Sequence, residues 1–287
     1  MDEKEIVERT AAPLTVASLS EELRACGLAE GQTVLVHLAM SKLGWIVGGA
    51  EAVILALLTA VGDTGTIMMV TNSGGNTDPA EWQHPPVPEA WWQTIRDHTP
   101  AYNPLTTPTR SMGRVPELFR TWPGAVRSAH PAFSLAALGP RARELVDEHA
   151  LDEDTGERSP LGKLYELDGH VLLLGVDHEN NTSLHLAEFR ASYPGKRTLH
   201  TGSAMLVDGR RQWVPYETLE TYPDEFSEIG AAFDRAHNLV VRQINDAEVR
   251  FFRQRLVVDF AVAWMEQHRS VRECGARAIG ERGSATL

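Results

Sequence analysis

The sequence predicts an α/β fold: a single domain with a central, partly parallel sheet, flanking helices and an inserted β-hairpin. Three observations carry that prediction. Thr33-Val34-Leu35-Val36-His37-Leu38 and Thr66-Ile67-Met68-Met69-Val70 are short apolar, β-branched runs of the kind that form buried strands. Between them lie a glycine loop, Gly44 to Gly49, and an apolar helical stretch, Ala50 to Val61. Strand, loop, helix, strand is the order of a βαβ unit, whose two strands run parallel. Farther on, Asp208-Gly209 at the centre of Met205 to Val214 is the signal of a tight hairpin turn.

The other elements follow in chain order. Thr15 to Cys26 reads as an amphipathic helix with Leu19 and Leu23 on one face and Gly27 at its end. Residues 72–110 are rich in Pro, Asn, Thr, Gly and Trp without a clear period, so a long functional loop or lid is expected there. Met112 to Trp122 looks helical, with Pro116 restricted to a first turn or a kink. Phe133 to Leu138 suits a strand, and Val171 to Val176 is the clearest buried strand of the chain. Asn181 to Ala191 follows as a helix. Residues 217–228 form an acidic segment after the hairpin, so the insertion spans about 200–230. A long helical pattern is expected around Asp246–Arg255 and Val257–Gln267, and a disordered tail from Gly280 to Leu287.

Composition narrows the function. The chain has 287 residues, 43% hydrophobic and 23% charged, with 27 Lys+Arg against 39 Asp+Glu and a net charge of −12. That balance argues against a nucleic-acid binder, which needs basic patches for phosphates. It suits a small cationic ligand, because acidic walls concentrate cations. No apolar run approaches membrane-spanning length, and the charged start Met1-Asp2-Glu3-Lys4-Glu5 is unlike a signal peptide. Two cysteines, Cys26 and Cys274, make neither a disulfide framework nor a cysteine-rich zinc site. A cytoplasmic protein without a membrane partner is the expectation.

Several signatures are missing. There is no Walker A loop and no Gly-x-Gly-x-x-Gly after a strand. Thr71-Asn72-Ser73-Gly74-Gly75 lacks the leading glycine of a nucleophile elbow, and Thr182 stands where a zincin helix beginning at His178-Glu179 needs its second histidine. What remains is Gly175 to Glu188, which leaves a buried strand at its carboxyl end, turns and enters a helix. Ligand sites of open α/β sheets favour that edge. His185 and Glu188, three apart, share one helix face. A carboxylate beside an imidazole fixes its tautomer and stabilises the imidazolium, so the pair can act as a general base near neutral pH. Spacing alone leaves this open against a plain helix-face hydrogen bond. His37, at the end of the first strand, reads by itself as a hydrogen-bonded structural histidine. The Gly44–Gly49 loop can offer backbone N–H groups to a phosphate or simply make a close-packed turn.

Taken together, these segments resemble the aminoglycoside 3-N-acetyltransferase family over roughly residues 5–268. The resemblance rests on Val36-His37-Leu38-Ala39-Met40-Ser41, Gly44-Trp45-Ile46-Val47-Gly48-Gly49-Ala50, Pro108-Thr109-Arg110-Ser111-Met112-Gly113 and Arg127 to Ser134. It continues through Gly156 to Gly169 and Asn181-Thr182-Ser183-Leu184-His185-Leu186-Ala187-Glu188. It implies acetyl transfer from acetyl-coenzyme A to the 3-amino group of a 2-deoxystreptamine aminoglycoside. It also implies resistance as the outcome, no obligatory metal, and a fold distinct from the common N-acetyltransferase superfamily. By the same resemblance His185 is the general base, Glu188 its support with Glu179 as the competing carboxylate, and Thr182 a donor to the thioester oxyanion. Coenzyme A is expected at His37, Ser41, Gly44, Trp45, Ile46, Val47, Gly48, Gly49, Met112 and Gly113. Holding a polycation requires carboxylates; Asp78 is the first candidate, then Glu217 and Glu220. Ala39 replaces a common serine, Val70 a frequent proline and Asp177 a common glycine, so the fine shape of the coenzyme site and the substrate range carry the differences.

Competing readings are acetylation of another amine, a non-catalytic polycation binder, and a metal hydrolase using His178, His185 and Glu188. Monomer and homodimer are both compatible with the sequence.

Overall fold

A computed structural model describes residues 3–269; the expected tail at 280–287 lies outside them. The strands are β1 (Thr33–Leu38), β2 (Thr66–Val70), β3 (Val126–Arg127), β4 (Leu135–Leu138), β5 (His170–Leu174), β6 (Thr198–Val207), β7 (Arg210–Leu219), β8 (Arg242–Ile244) and β9 (Ala247–Arg253). Seven form one sheet in the order β3-β4-β2-β1-β5-β9-β8, and β6-β7 stand apart as a two-stranded hairpin. β2, β1 and β5 are parallel, while β4 and β9 flank them antiparallel. The sheet is mixed, with the parallel centre expected from the βαβ pattern.

Alternation along the central strands divides the core in two. Leu35, Met68, Val171 and Leu173 point to one face, whereas Val34, Val36, Ile67, Met69, Leu172 and Leu174 point to the other. The second face is covered by α2 (Val16–Ala25), α3 (Gly49–Val61) and α5 (Arg114–Phe119). Thr15 and Ser18 form the capping box that starts α2, and Leu19 and Leu23 are fully buried on its inner face. The first face is covered by α6 (Ala142–Val146), α7 (Pro160–Glu166), α8 (Ser183–Arg190), α9 (Phe226–Ala236) and α10 (Gln254–His268). α1 (Glu3–Arg9) buries no side chain and lies beside the Ser41 to Gly49 loop, where Arg9 donates to the Ser41 carbonyl.

The hairpin is longer than its central signal, pairing Thr198 with Leu219 through Val207 with Arg210. Asp208 and Gly209 both have positive φ (50° and 73°), as a two-residue turn of this hand requires. Two expectations are corrected. The segment expected to be helical around 246–255 is strand β9, paired to β5, and the helix begins only at Gln254. Ala247 and Val249 face inward while Glu248 faces out, a two-residue period that the flanking charges obscure. The supposedly structureless stretch 72–110 contains α4 (Glu89–His98), which buries none of its residues and so left little apolar period to detect.

Candidate active site

β1, β2 and β5 end on the same edge of the sheet. After β5 the chain turns at Gly175 (φ 72°), where an added Cβ would stand 2.8 Å from Lys42 Cβ. Asp177 accepts from the Glu179 amide (2.9 Å), and the buried Asn181 accepts from the Ser183 amide (3.2 Å) to open α8. His178 is tied to Asp234 (3.0 Å) and stacks on Phe252, so it does not join His185 and Glu188. These bonds fix where α8 begins and which way its first turns point.

On α8, His185 Nδ1 lies 2.7 Å from Glu188 Oε2. A carboxylate only accepts, so Nδ1 carries a proton, and whenever the ring is neutral Nε2 holds the lone pair. Glu188 is wholly buried; its other oxygen accepts from the Tyr222 amide (2.7 Å) and forms an ion pair with Arg269 Nη2 (2.9 Å). Burial pushes the Glu188 carboxyl up, but the His185 hydrogen bond and charge, the Arg269 charge and the Tyr222 amide outweigh it and hold its pKa below the ordinary value. Phe226 stands edge-on to the imidazole at 4.8 Å between centroids. Glu188, and not Glu179, is the carboxylate that orients His185; Glu179 lies on the neighbouring cleft instead.

Three depressions meet this edge. The first, about 60 Å3, is lined by His185 together with Glu81, Asp154, Thr155, Thr201 and Thr218. Asp154 is almost fully buried, and burial raises its pKa against the opposing charge of His185. Burial likewise raises that of Glu81, opposed by Thr201. Behind them His149 bridges Ser128 Oγ (2.9 Å) and the Asp154 carbonyl (2.6 Å). The second, about 290 Å3, runs along the ends of the parallel strands and includes His37, Asn72, Met112, Glu179 and Thr182. Burial, aided by the charge of His185, drives the His37 pKa down to about 3, so the ring is neutral. Its Nε2 has no hydrogen-bond partner among the described residues, unlike the hydrogen-bonded structural histidine expected from position alone. The third, about 340 Å3, holds Ser41, Gly44, Trp45, Ile46 and Gly49, with Arg114 as a cation at its wall.

The expected coenzyme residues therefore fall into two neighbouring clefts. Val47 and Gly48 line neither of them; Val47 donates to the Leu14 carbonyl and Gly48 caps α3 with φ 88°. Gly113 caps α5. The three expected substrate carboxylates are not brought to the His185 cleft. Asp78 is held by Arg96 through two bonds (2.9 and 2.7 Å) and caps the Ala80 amide. Glu217 pairs across the hairpin with His200 (3.1 Å), and Glu220 accepts from the Tyr222 hydroxyl (2.9 Å). Sequence reasoning missed Glu81, Asp154 and Arg269. The only signal was proximity in the chain: Glu81 follows Asp78, and Asp154 ends the acidic run before Gly156-Glu157-Arg158-Ser159-Pro160.

A half-buried imidazole held by a buried carboxylate, beside an acidic pocket and an elongated cleft, is the equipment for deprotonating a cationic amine next to a second substrate. Comparison with known proteins bears on this geometry. The family described as aminoglycoside 3-N-acetyltransferase matches residues 35–266. The SPbeta prophage-derived aminoglycoside N(3')-acetyltransferase-like protein YokD of Bacillus subtilis (strain 168) is 45% identical over 91% of this chain and 96% of its own. Its crystal structure superposes with a TM-score of 0.89, covering 92% of this chain and 98% of that one. Aminoglycoside N(3)-acetyltransferase VIII of Streptomyces fradiae is 39% identical over 96% of this chain and 100% of its own. A solved AAC-IIIb binary complex with CoASH is 32% identical with a TM-score of 0.80, over 90% of this chain and 98% of that one. With sequence and fold in agreement, the chain belongs to the aminoglycoside 3-N-acetyltransferase family, a family of acyltransferases.

Proposed function

We propose that this enzyme transfers the acetyl group of acetyl-coenzyme A to the 3-amino group of a 2-deoxystreptamine aminoglycoside, and so confers resistance. The transfer is a direct attack in a ternary complex with His185 as general base. The observation that carries this reading is the 2.7 Å His185–Glu188 bond in a cleft shared with Asp154 and Glu81. An ammonium has no lone pair, so the 3-amine must lose a proton before it can attack. His185 Nε2 takes that proton, and Glu188 stabilises the imidazolium that results. The amine nitrogen bonds to the thioester carbonyl carbon, and the carbonyl oxygen becomes an oxyanion within reach of a donor such as the Thr182 hydroxyl. Collapse breaks the carbon–sulfur bond as the nitrogen gives up a further proton; that proton leaves with the thiolate as the coenzyme thiol, the product is the amide, and the proton taken by His185 passes to solvent.

The two larger clefts suit the pantetheine arm and phosphates of the coenzyme, with Arg114 supplying a positive charge and the Gly44 to Gly49 loop backbone N–H groups. Asp154 and Glu81 suit the other ammonium groups of the substrate. The reading further takes the protein as a single cytoplasmic acetyltransferase domain, monomeric or homodimeric, that needs no metal, nucleic acid or membrane. Among the described residues no helix is long and apolar enough to cross a membrane. Thiol release from acetyl-coenzyme A, followed with a small aminoglycoside panel that includes one compound blocked at its 3-amine, tests the function. Release with open 3-amines and none with the blocked compound is expected. Equal release with both would overturn the regiochemistry, and silence across the panel would overturn the substrate class.

A further inference from the structure

Asp154 reaches the His185 cleft on the stretch between α6 and α7, where it is 3% exposed. Two backbone bonds of that stretch close on its own neighbours: the Ala150 amide donates to the Arg158 carbonyl (2.9 Å) and the Gly156 amide to the Glu153 carbonyl (3.2 Å). His149 ties it to the sheet. Its Nε2 lies 2.6 Å from the Asp154 carbonyl oxygen, and its Nδ1 lies 2.9 Å from Ser128 Oγ. A carbonyl only accepts, so Nε2 carries a proton. Burial, opposed by the Asp154 bond, lowers the ring's pKa to about 4, so the ring is neutral and Nδ1 accepts from the Ser128 hydroxyl. Ser128 is fixed in turn to β4: its amide donates to the Leu135 carbonyl (2.9 Å) and its Oγ accepts from the Leu135 amide (3.0 Å). The Ser128 carbonyl also accepts from the Tyr102 hydroxyl (2.8 Å). His130 lies against the His149 ring, 4.7 Å between centroids. The imidazole is held on a face and through both nitrogens.

We infer that His149 is a positioning residue, which aims the Asp154 carboxylate into the His185 cleft and so governs how tightly the cationic acceptor is held, without touching it. The chain of contacts runs from β4 through Ser128 and His149 to the Asp154 carbonyl, and the carboxylate stands only two side-chain bonds from the backbone so fixed. The Thr155 hydroxyl donates to the same carboxylate (3.1 Å), and His185 acts on it by charge. A charge-assisted bond to an ammonium weakens steeply with misplacement, so the fixing of the Asp154 backbone carries over to the strength of that bond. A neutral imidazole suits the task because it has one acceptor and one donor on opposite sides of a ring, matched here to a hydroxyl and a carbonyl.

The inference rests on Asp154 taking a substrate ammonium, so the test reads the carboxylate directly as well as through kinetics. Crystal structures are determined, and thiol-release kinetics are measured with neomycin as acceptor, for wild type, His149→Gln, His149→Asn, Asp154→Asn and the double variant His149→Asn with Asp154→Asn. The glutamine amide nitrogen reaches the place of Nε2, whereas the shorter asparagine leaves the Asp154 carbonyl without its donor. In His149→Asn the Asp154 carboxylate is expected to move by about 1 Å or more relative to His185, and in His149→Gln to stay in place. The acceptor KM is expected to rise about tenfold in His149→Asn and to be restored in His149→Gln, with kcat and the KM for acetyl-coenzyme A within about threefold of wild type in both. In the Asp154→Asn background, His149→Asn is expected to add less than about twofold, because its effect passes through the carboxylate already removed. If His149→Asn does not fold, His149→Phe, which fills the space of the ring without either nitrogen, takes its place.

A carboxylate that stays in place in His149→Asn, or that moves as far in His149→Gln, overturns the inference, whatever the rates. A cost of His149→Asn that persists undiminished in the Asp154→Asn background overturns it too, since that is the mark of a merely structural histidine. A carboxylate that moves in His149→Asn alone, while the acceptor KM stays fixed in both His149→Asn and Asp154→Asn, upholds the positioning and instead overturns the substrate-binding role of Asp154.

Discussion

Replacing Glu188 with glutamine keeps the size and most hydrogen-bonding capacity of the side chain but removes its charge, which isolates what the carboxylate contributes to His185. Two consequences follow from the geometry. The 2.7 Å bond to Nδ1 is charge-assisted, and the imidazolium formed during proton transfer loses its neighbouring anion. Such a loss is worth about 3–5 kcal/mol in the transition state, which at about 1.4 kcal/mol per factor of ten lowers kcat by roughly 10²–10⁴. The KM for acetyl-coenzyme A changes little, because Glu188 lines neither of the larger clefts. The same substitution leaves Arg269 buried with Glu225 as its one carboxylate partner among the described residues, which costs about 2–4 kcal/mol of stability. Kinetics are therefore measured well below the melting midpoint, with coenzyme binding by calorimetry as the check on folding. A folded, coenzyme-binding Glu188→Gln enzyme within tenfold of the wild-type kcat would refute the assignment of the pair to catalysis.

Other expectations follow from the same structure. Asp154→Asn and Glu81→Gln each raise the KM for the aminoglycoside about tenfold or more while sparing that for acetyl-coenzyme A, if these two residues of the His185 cleft take the substrate ammonium groups as proposed; steady-state kinetics with each substrate varied separates the two. His37, His130 and His149 are buried, and burial first of all lowers their pKa values to about 3, 3 and 4. The unfolded chain thus takes up protons that the folded one refuses, and stability present above about pH 6.5 falls by up to about 1.4 kcal/mol per unit per ring on acidification towards those values. Melting curves between pH 4 and 8 show the fall, and a flat midpoint down to pH 4.5 would contradict it. Gly175→Ala, at φ 72° and with its new Cβ 2.8 Å from Lys42 Cβ, costs about 1–3 kcal/mol and disturbs the turn into α8; denaturant unfolding measures the first effect and kcat the second.

What the sequence made legible follows from how local each signal is. β1 and β2 have apolar runs because both sheet faces are covered, so their limits agree with the runs themselves. The Asp208–Gly209 turn was legible because the conformation depends on those two residues alone. β9 was misread because it lies near the sheet edge, where Glu248 and Arg250 break the apolar pattern and α10 follows without a break. The His185–Glu188 pair obeyed the same rule. His185 and Glu188 sit three apart on one helix, so spacing predicted their contact, while the general-base role came only from the family resemblance. Glu81, Asp154 and Arg269 reach the same place from a loop, the segment before α7 and the end of α10. No local pattern marks them, since only the topology brings them together. Asp78 shows the opposite failure: its charge was visible, but not Arg96, eighteen residues on, which engages it.

The arrangement of the clefts gives the topology its chemical meaning. Parallel β1, β2 and β5 deliver their ends to one edge, and α8 starts there. Thr182, at the start of α8, belongs to the elongated cleft, whereas His185, three residues later, belongs to the acidic one. Three residues, about 4.5 Å of helical rise, thus separate Thr182 on one cleft from His185 on the other. The electrostatics divide along the same line: His37 is neutral on the side suited to a thioester, while Asp154 and Glu81 stand on the side suited to ammonium groups. An acyl donor and a cationic amine drawn to their respective sides would meet across those three residues, the arrangement on which the proposed direct transfer depends.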